Sequence, residues 1–516
     1  MICGKRFVVF LFVVLAASCQ SRFPGEAAAE SHSRGTFSVA IANNEEDSFA
    51  WERKWLERIL AESPEIPALD MYFDPPADEH SADIVIDFFS YWKHENKIDG
   101  IDISKTHYVP RENPLSARKN TTLESCIAGN EDLVRLDELE PPFAALTVDG
   151  CRVDDAAYPL VLNTGISIRF CEGQNDDEAA KRTTKALGEF LSGISKPLLE
   201  ETPALTWIAS AGDMMLGRNA GNILLNDGPG TLFGGVCDIF SASDLVLVNL
   251  EGALSSRGTK AGKTFTFRFE PPQDMAAAIK NAGIHAVLLV NNHSFDYGEA
   301  AFLDTITFLE NAGVGAIGAG RNLAEVLEGW AYKKGGFAAR VWGIGSFSQE
   351  RSGWDGLEHT AEADKAGFIH ARRGGGAILG VRLRQADKEN DLNIVLLHGG
   401  EEWSDRPDSR TRELCTDLVQ SGADLIIGSH PHIVQGFEWI EGKPVFWSLG
   451  NFVFAGMENT GGGDQGLLIH LGYCGKKLVY MELYALSLAG PRVVVAPEKN
   501  LDGFYRKSNE LARSAR

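Results

Sequence analysis

Five apolar runs in the second half of the chain each lead into side chains that can bind a metal ion or carry a proton. Histidine is scarce, with 12 in 516 residues, and four of the 12 lie at these positions. Carboxylate, amide oxygen and imidazole groups without thiolate suit Zn²⁺, Mn²⁺ or Fe rather than Ca²⁺. The side chains that follow the five runs are Asp213; Asn249 and Glu251; Asn291, Asn292, His293 and Asp296; His398, Glu401 and Glu402; and His430 and His432.

These residues can share a site only if the runs are strands that end at one place. The runs alternate with helical segments such as PQDMAAAIKNAG and SRTRELCTDLVQSG, which predicts an α/β domain. In an open α/β sheet, the loops beyond the carboxyl ends of the strands converge on one crevice. Each loop alone has a structural explanation, since a strand-end aspartate can cap a helix and Asn-Asn favours a turn. Five such loops at equivalent positions predict a shared metal site.

The length of the chain, 516 residues, predicts two or three domains rather than one hydrophobic core. Short strands mix with helices up to about residue 200, where Pro197 and Pro203 interrupt the pattern. We predict an N-terminal α/β domain over 37–200, the domain that carries the site over 201–490, and a C-terminal tail over 491–516. The segments VDG and YPL of the first domain resemble, over few residues, the hinge region of periplasmic solute-binding proteins.

The N-terminal segment predicts export. Lys5 and Arg6 precede the apolar stretch Phe7–Ala17, which is too short to span a bilayer and is typical of a signal peptide. Small residues lead to Cys19 and resemble a bacterial lipobox, in which the cysteine is lipidated; an ordinary cleaved signal is the alternative. We expect a signal peptide over 1–19, a flexible tether over 20–36, and a protein anchored at the cell envelope through a lipid on Cys19.

The charge of the chain restricts its partners. Lys and Arg total 49 against 71 for Asp and Glu, which gives a net charge of −22. Such a surface repels nucleic acid and anionic lipid headgroups, so neither is expected as a partner. A polyanionic substrate is also repelled unless a bound cation reverses the charge locally.

Five motifs in a fixed order carry a family resemblance. GDMMLGR, NLEGALSS, NNHSFDYG, HGGEEW and GSHPHIVQGFEWIEGKPVFWSLGNFVF resemble the successive signatures of the CapA family of bacterial capsule-synthesis proteins, which includes proteins of poly-γ-glutamate biosynthesis. The resemblance covers roughly residues 205–455. The CapA domain is in turn similar to the calcineurin-like metallophosphoesterases. That similarity implies a β-sandwich flanked by helices, with a dinuclear metal centre, preceded here by the smaller α/β domain.

The same resemblance implies roles for individual residues. His293 matches the histidine that protonates the leaving group, and Asp296 could orient its ring or could be a turn residue. Arg218 could clamp an anionic substrate group or be a solvated helix residue, and Glu401 could bind a substrate amine or be solvated. The expected ligands of one or two divalent ions are Asp213, a bridging Glu251, Asn292, His398, His430 and His432.

One position departs from the family pattern. The phosphoesterases have histidine two positions after the first aspartate, and Met215 stands there in this chain. A thioether is a poor ligand for hard divalent ions, so one metal position is expected to be weak. In an extended His-Pro-His run, His430 and His432 would point the same way and serve neighbouring metal positions. Because His432 would serve the position that lacks its partner at Met215, His430 is expected to be the safer ligand.

Two functions are compatible with these features. The first is a metal-dependent hydrolase or transferase that acts on an anionic surface polymer, such as γ-linked polyglutamate, or on a phosphoester. The second is a non-catalytic protein that binds the polymer or assembles with a membrane synthase. The resemblance implies capsule biosynthesis, but a family name alone does not establish a reaction.

Overall fold

The structure is a computed structural model that describes residues 37–41, 69–72, 84–93, 101–112, 120–128, 130–170, 203–386, 389–457 and 460–514, with single positions between 185 and 192. The predicted signal peptide, Cys19 and the predicted tether lie outside the described residues. Within this part of the chain, no helix has both the length and the apolar composition needed to cross a membrane. The chain divides into two compact units, residues 1–88 with 166–193 and residues 89–165 with 194–516.

The described part of the first unit contains a parallel sheet. β1 (Phe37–Ile41) pairs in parallel with β2 (Leu69–Tyr72) and with β3 (Ile84–Trp92). Val39 lies opposite Met71 on one side and Ile84 on the other. The N-terminal domain predicted over 37–200 contributes chain to both units.

Residues 101–165 pack against the larger part of the second unit. Buried Val153 and Tyr158 share a core with Trp207, and the Arg152 guanidinium donates to Glu482 Oε1 at 2.6 Å. This segment is therefore continuous in packing with the chain after residue 203. The elements of this segment are β4 (Ile101–Glu112), β5 (Asn120–Thr121), α1 (Leu123–Ile127), β6 (Leu133–Arg135), β7 (Ala144–Ala145) and β8 (Thr147–Val148). The strand β9 (Val161–Phe170) begins at the end of the segment and continues beyond it.

The rest of the second unit alternates strands with helices. The elements up to residue 320 are β10 (Thr206–Met215), α2 (Ala220–Asp227), α3 (Pro229–Phe233), α4 (Val236–Ser241), β11 (Leu245–Leu250), β12 (Ala253–Leu254), β13 (Arg268–Phe269), α5 (Pro272–Asn281), β14 (Ala286–Leu288), α6 (Glu299–Ala312), β15 (Gly315–Ile317) and β16 (Ala319–Gly320). The later elements are α7 (Leu323–Glu328), β17 (Trp330–Lys334), β18 (Phe337–Phe347), β19 (Gly367–Phe368), α8 (Gly375–Ala386), β20 (Leu392–Gly400), α9 (Ser409–Gln420), β21 (Leu425–Ser429), β22 (Phe437–Ile440), β23 (Lys443–Phe446), β24 (Asn451–Phe454), β25 (Gln465–Cys474), β26 (Lys477–Ala489), β27 (Arg492–Val495) and α10 (Asp502–Ser514).

The first large sheet has the order β15-β14-β11-β10-β25-β26-β27, and β24 also pairs with β10. β10, β11, β14 and β15 are parallel to one another, whereas β25, β26 and β27 continue the sheet in antiparallel pairs. Every residue of β11, LVLVNL, is buried. This is the pattern of a parallel strand that is covered on both faces.

The second large sheet has the order β17-β18-β20-β21-β23-β22. β18, β20, β21 and β23 are parallel, and antiparallel strands close both edges. The parallel strands of both sheets therefore point their carboxyl ends toward the loops that carry the polar motifs.

The two sheets enclose one hydrophobic core. Ile208 and Leu247 of the first sheet belong to the same buried cluster as Val341 and Ile394 of the second. On its other face, the second sheet packs against α8 and α9 in a separate buried cluster. The predicted α/β fold is confirmed, and the two segments predicted to be helical form α5 and α9.

The helix α9 shows how local sequence fixes these elements. The Asp408 carboxylate accepts a hydrogen bond from the backbone nitrogen of Thr411 at 2.9 Å and so caps the first turn, an interaction typically worth about 1 kcal/mol. The helix then buries Cys415 and Leu418 against the second sheet. Its direction is thereby set by both a cap and an apolar face.

The described part of the segment predicted as a C-terminal tail is folded. It contains β27 and α10, and Phe504 joins the main core. Ser508 Oγ accepts a hydrogen bond from the backbone nitrogen of Phe437 at 2.9 Å. A Cβ at Gly436 would lie 2.8 Å from the Leu511 side chain, so glycine allows the helix to approach this strand closely.

Candidate metal centre

Neighbouring strands of the first sheet bring Asp213 and Glu251 together. Asp213 lies in β10 and Glu251 directly follows β11, and both side chains are fully buried. The Asn249 amide nitrogen donates to Asp213 Oδ1 at 2.8 Å and lies 3.5 Å from Glu251 Oε2. A Cβ at Gly212 would lie 1.8 Å from the carbonyl oxygen of Gly450. A larger residue at 212 would therefore displace the strand that carries Asp213.

Asp213, Glu251 and His432 form a group that fits a metal ion. One donor atom of each lies within 4.8 Å of the others, and all three side chains are buried. Oε1 of Glu251 is buried and has no hydrogen-bond partner among the described residues. Burial and the neighbouring Asp213 carboxylate raise the pKa of Glu251 well above its ordinary value. A divalent cation would supply the missing partner and offset the repulsion between the carboxylates.

Asn292, His398 and His430 form a second group beside the first. Nε2 of His398 lies 3.1 Å from Asn292 Oδ1 and 3.1 Å from Nδ1 of His430. The backbone nitrogen of His430 donates to Asp213 Oδ2 at 3.3 Å and so links the two groups. The structure thus brings together all six side chains predicted to be ligands. An amide oxygen and two imidazoles also suit Zn²⁺, Mn²⁺ or Fe.

Hydrogen bonds to Ser429 and Asn451 orient two of the imidazole rings. Ser429 Oγ donates to a backbone carbonyl at 3.1 Å, so it accepts the proton of His398 Nδ1 at 3.0 Å. The Asn451 amide nitrogen donates to another carbonyl at 2.7 Å, which turns its oxygen toward His432 Nδ1 at 2.9 Å. We therefore assign the proton of each neutral ring to Nδ1, which leaves Nε2 available to a metal ion.

The three histidines differ in protonation. Burial lowers the pKa of His398 well below its ordinary value and the pKa of His430 to about 3. Burial also acts to lower the pKa of His432, but the Glu251 and Asp213 carboxylates outweigh it and raise that pKa to about 10. His398 and His430 are therefore neutral at pH 7 and ready to bind a metal ion, whereas His432 must first lose a proton.

Metal binding is therefore expected to release a proton at neutral pH. Because the metal ion competes with the proton on His432, the apparent affinity for Zn²⁺ or Mn²⁺ should rise with pH, by about tenfold per pH unit, and level off near the raised pKa. Calorimetric titration in buffers of different ionisation enthalpy measures the released proton directly. An affinity that stays constant between about pH 7 and pH 9 would contradict the assignment, because a histidine with the ordinary pKa of about 6.5 is already neutral there.

The His-Pro-His run is not extended. The backbone φ is 101° at His430 and 58° at His432, in the left-handed region that non-glycine residues rarely adopt. The two rings lie 6.3 Å apart between centroids and belong to adjacent ligand groups. It is His432, expected from the sequence to be the less safe ligand, that lies with Asp213 and Glu251. The strained turn, rather than strand alternation, determines where the rings point.

His293 and Asp296 form a dyad next to Glu251. Nδ1 of His293 lies 2.7 Å from Asp296 Oδ2, and its Nε2 faces Glu251 Oε1 at 3.8 Å. Asp296 is also a turn residue, since its backbone nitrogen donates to the His293 carbonyl at 3.2 Å. Burial lowers the pKa of His293, against the opposing effect of Asp296. Asp296 therefore contacts the His293 ring and also lies in a turn, so its geometry agrees with both interpretations of the sequence.

The comparison with known families concerns the part of the chain that contains these groups. The model of the family described as Bacterial capsule synthesis protein PGA_cap matches residues 207–456. We refer to the residues that this model matches, 207–456, as the capsule synthesis domain. The CapA resemblance of the five sequence motifs is thereby confirmed.

Relatives of the capsule synthesis domain come from several bacteria. The chain is 28% identical to the PGA biosynthesis protein CapA of Bacillus subtilis (strain 168) over 244 residues, which are 47% of this chain and 62% of that protein. It is 30% identical to the capsule biosynthesis protein CapA of Bacillus anthracis over 257 residues, 47% of this chain and 58% of that protein. It is 28% identical over 222 residues to a "Probable polyglutamine synthesis accessory protein" of Mycobacterium tuberculosis (strain ATCC 25618 / H37Rv), 41% of this chain and 56% of that protein. The chain therefore spans 56% to 62% of the lengths of these relatives.

The capsule synthesis domain also buries a lysine that the sequence patterns did not single out. Nζ of Lys263 lies 2.8 Å from Asp296 Oδ1 and 2.8 Å from Glu350 Oε1, and the Lys263 side chain has no exposed surface. The ammonium also lies 4.3 Å from the ring centroid of Trp354. Lys263 therefore holds the carboxylate that contacts His293.

Arg218 and Glu401 differ in how the domain holds them. The Arg218 guanidinium donates to the carbonyl of Ala455 at 2.8 Å and lies 5.7 Å from the ring centroid of Phe267. Glu401 is exposed, as is Glu402, which agrees with the solvated alternative. Arg218 is therefore placed toward the dyad, whereas Glu401 remains a predicted substrate contact only.

The side chain of Met215 packs inside the turn that follows β10. Its side chain is fully buried, and its sulfur accepts a hydrogen bond from the backbone nitrogen of Gly217 at 3.1 Å. A Cβ at Gly217 would lie 2.8 Å from this sulfur, so glycine accommodates the thioether inside the turn. The sulfur therefore has a backbone partner within this turn.

Proposed function

We propose that the protein is an exported metal-dependent hydrolase or transferase that acts on an anionic polymer or phosphoester in capsule or poly-γ-glutamate biosynthesis. The observation that carries this proposal is the buried Asp213, Glu251 and His432 group, in which a carboxylate oxygen has no hydrogen-bond partner among the described residues. The names of the Bacillus relatives support the biosynthetic context. The two facing sheets with outer helices support the proposal that the domain is a calcineurin-like metallophosphoesterase sandwich.

The proposed chemistry divides between a metal ion and the dyad. When bound among the six ligand side chains, one or two divalent ions would polarise a phosphoryl or carbonyl oxygen and lower the pKa of water. His293 Nε2 faces the ligand groups and is the atom that could take up a proton from water and pass it to a leaving group. Asp296 accepts the Nδ1 proton, holds the ring in place and stabilises its charged form.

The second candidate is a non-catalytic partner of a membrane synthase. The word "accessory" in the name of the mycobacterial relatives favours it. In this case the same groups would bind the polymer or order the loops without turnover. We also propose export and lipid anchoring through Cys19, because the N-terminal residues have the features of a lipoprotein signal.

Metal content and turnover of the Asp213→Asn variant test the enzyme proposal. Wild-type protein should bind Mn²⁺ or Zn²⁺ and hydrolyse a generic phosphodiester or a γ-glutamyl polymer, and the variant should bind metal at least about tenfold more weakly. The cause is the loss of one of two carboxylate charges at the buried group. Mass spectrometry of bound metal and a chromogenic phosphodiester assay provide the readouts.

Asp227→Asn is the matched control. Asp227 is an exposed residue at the end of α2, so the same charge is removed away from the site. It should bind metal like the wild type. If neither Mn²⁺, Zn²⁺ nor Fe binds the wild type, the metal proposal fails. If metal binds without turnover of either substrate, the accessory function is supported instead.

A further inference from the structure

A groove of about 520 Å³ opens beside the dyad. It is formed by the turn after β10 and by the chain from 260 to 270, together with the end of the NNHSFDYG motif. The side chains on which the argument depends are Arg218, Lys260, Phe265, Phe267, Arg268 and Tyr297.

The charge of the groove is opposite to that of the chain. The net charge of the protein is −22, yet three cationic side chains line the groove against the single carboxylate of Glu270. Arg268 lies 3.4 Å from Glu270, whereas Lys260 is exposed and makes no ion pair with any described residue. Arg218 likewise pairs with no carboxylate within the described part of the chain. Such a local reversal of sign draws an anionic ligand to this place.

Arg218 is held in a conformation that costs energy. Its φ is 47° and that of the next residue, Asn219, is 79°, both left-handed. This region is unfavourable for a non-glycine residue, which adopts it only when the surrounding structure enforces it. The Ala455 carbonyl and the Phe267 ring fix the guanidinium over the groove. The cation is therefore ordered before a ligand binds, which lowers the entropic cost of binding.

Phe267 connects the groove to the dyad. Its backbone nitrogen donates to Asp296 Oδ2 at 2.6 Å, and its ring centroid lies 4.3 Å from that of His293. A ligand lying in the groove against Phe267 would therefore contact the residue that touches both members of the dyad. This geometry fits a chain that extends away from the reacting group better than a small isolated anion.

Aromatic and cationic side chains line the groove together. Phe265 is 60% exposed, which is unusual for a phenylalanine, and the Arg268 guanidinium lies 4.5 Å from the Tyr297 ring centroid. Cations bind carboxylates, while exposed aromatic faces bind methylene groups. A polymer that alternates carboxylates with short aliphatic segments matches both.

We propose that this groove binds an extended polycarboxylate chain, of the γ-linked glutamate type, and leads it to the dyad. The proposal deepens the proposed function and rests on it for the direction of the bound chain. The binding itself requires neither metal nor turnover, so the two can fail separately.

Binding of a short fluorescently labelled γ-linked glutamate oligomer to chelator-treated, full-length protein tests the groove. Lys260→Glu should weaken binding by roughly five- to tenfold, because it replaces an unpaired cation with an anion. Lys333→Glu, at an exposed lysine of β17 outside the groove, makes the same change in net charge. It should weaken binding less than about twofold, since the charge is distant and screened.

A second variant separates carboxylate chains from phosphate chains. Phe265→Ala removes an exposed aromatic face and should weaken binding of the glutamate oligomer by roughly threefold, while leaving binding of inorganic polyphosphate, which has no methylene groups, unchanged. Equal losses of binding affinity in Lys260→Glu and Lys333→Glu would contradict binding in the groove. Tighter binding of polyphosphate that is insensitive to Phe265→Ala would overturn the polycarboxylate assignment. If the variants change binding as expected but the protein shows no turnover, the polymer-binding groove is supported and the enzyme proposal fails.

Discussion

Replacing Lys263 with methionine is expected to lower the free energy of unfolding by about 3–5 kcal/mol. Methionine keeps much of the aliphatic volume but removes the ammonium that lies 2.8 Å from both Asp296 and Glu350. Asp296 is fully buried, so its carboxylate would lose its only cationic partner among the described residues and could not be compensated by solvent. Chemical denaturation followed by fluorescence measures the effect.

Lys260→Met is the matched control for this change. Lys260 lies three residues earlier in the same loop but is exposed, so its replacement should change stability by less than about 0.5 kcal/mol. A double variant, Lys263→Met with Asp296→Asn, should recover part of the loss, because the unpaired charge is removed with its partner. A loss below about 1 kcal/mol in Lys263→Met would show that the buried lysine does not stabilise this region.

Replacing His293 with asparagine is expected to lower phosphodiester turnover by about 10²–10⁴-fold with little change in bound metal. The variant keeps a polar side chain but lacks the Nε2 atom that faces the ligand groups and can carry a proton. Single-turnover rates and metal content, measured on the same preparation, separate loss of proton transfer from loss of a ligand.

His285→Asn provides the control for histidine removal. His285 precedes β14 at the opposite end of that strand, where its Nδ1 accepts a hydrogen bond from the backbone nitrogen of Val246. Turnover in this variant should stay within about threefold of the wild type, because no site residue is touched. Full turnover in His293→Asn would remove the dyad from the mechanism, and loss of metal would assign His293 a ligand role instead.

The positions of the six ligand side chains could be predicted because they depend on strand ends. Apolar runs predict where strands stop, and parallel strands bring their carboxyl ends to one edge of a sheet. Asp213 and Glu251 follow this rule within the first sheet, and His398 follows it within the second. The strand pattern by itself does not indicate that two sheets face each other, which only the family resemblance implies, so the pattern could not show how the two sets combine.

The residues that the sequence did not identify act through tertiary geometry. Lys263 and Glu350 come from loops without apolar periodicity, and only the packed fold brings them to Asp296. The Asn451 side-chain oxygen contacts His432 because the chain returns through β22 and β23 to the start of β24. The His-Pro-His conformation also depends on tertiary contacts, since φ angles above zero are unfavourable for histidine in isolation.

The division of ligands between the two sheets couples metal uptake to folding. Asp213, Glu251 and Asn292 come from the loops of one sheet, and the histidines at 398, 430 and 432 come from those of the other. Neither sheet alone carries a complete set, so the ion site exists only after the sheets have docked. A bound ion would then link the two sheets and resist any sliding of one sheet over the other. A nascent or half-folded chain has no such link between the sheets. Metal binding would therefore be a late step in folding, and bound metal would indicate that the two sheets have docked.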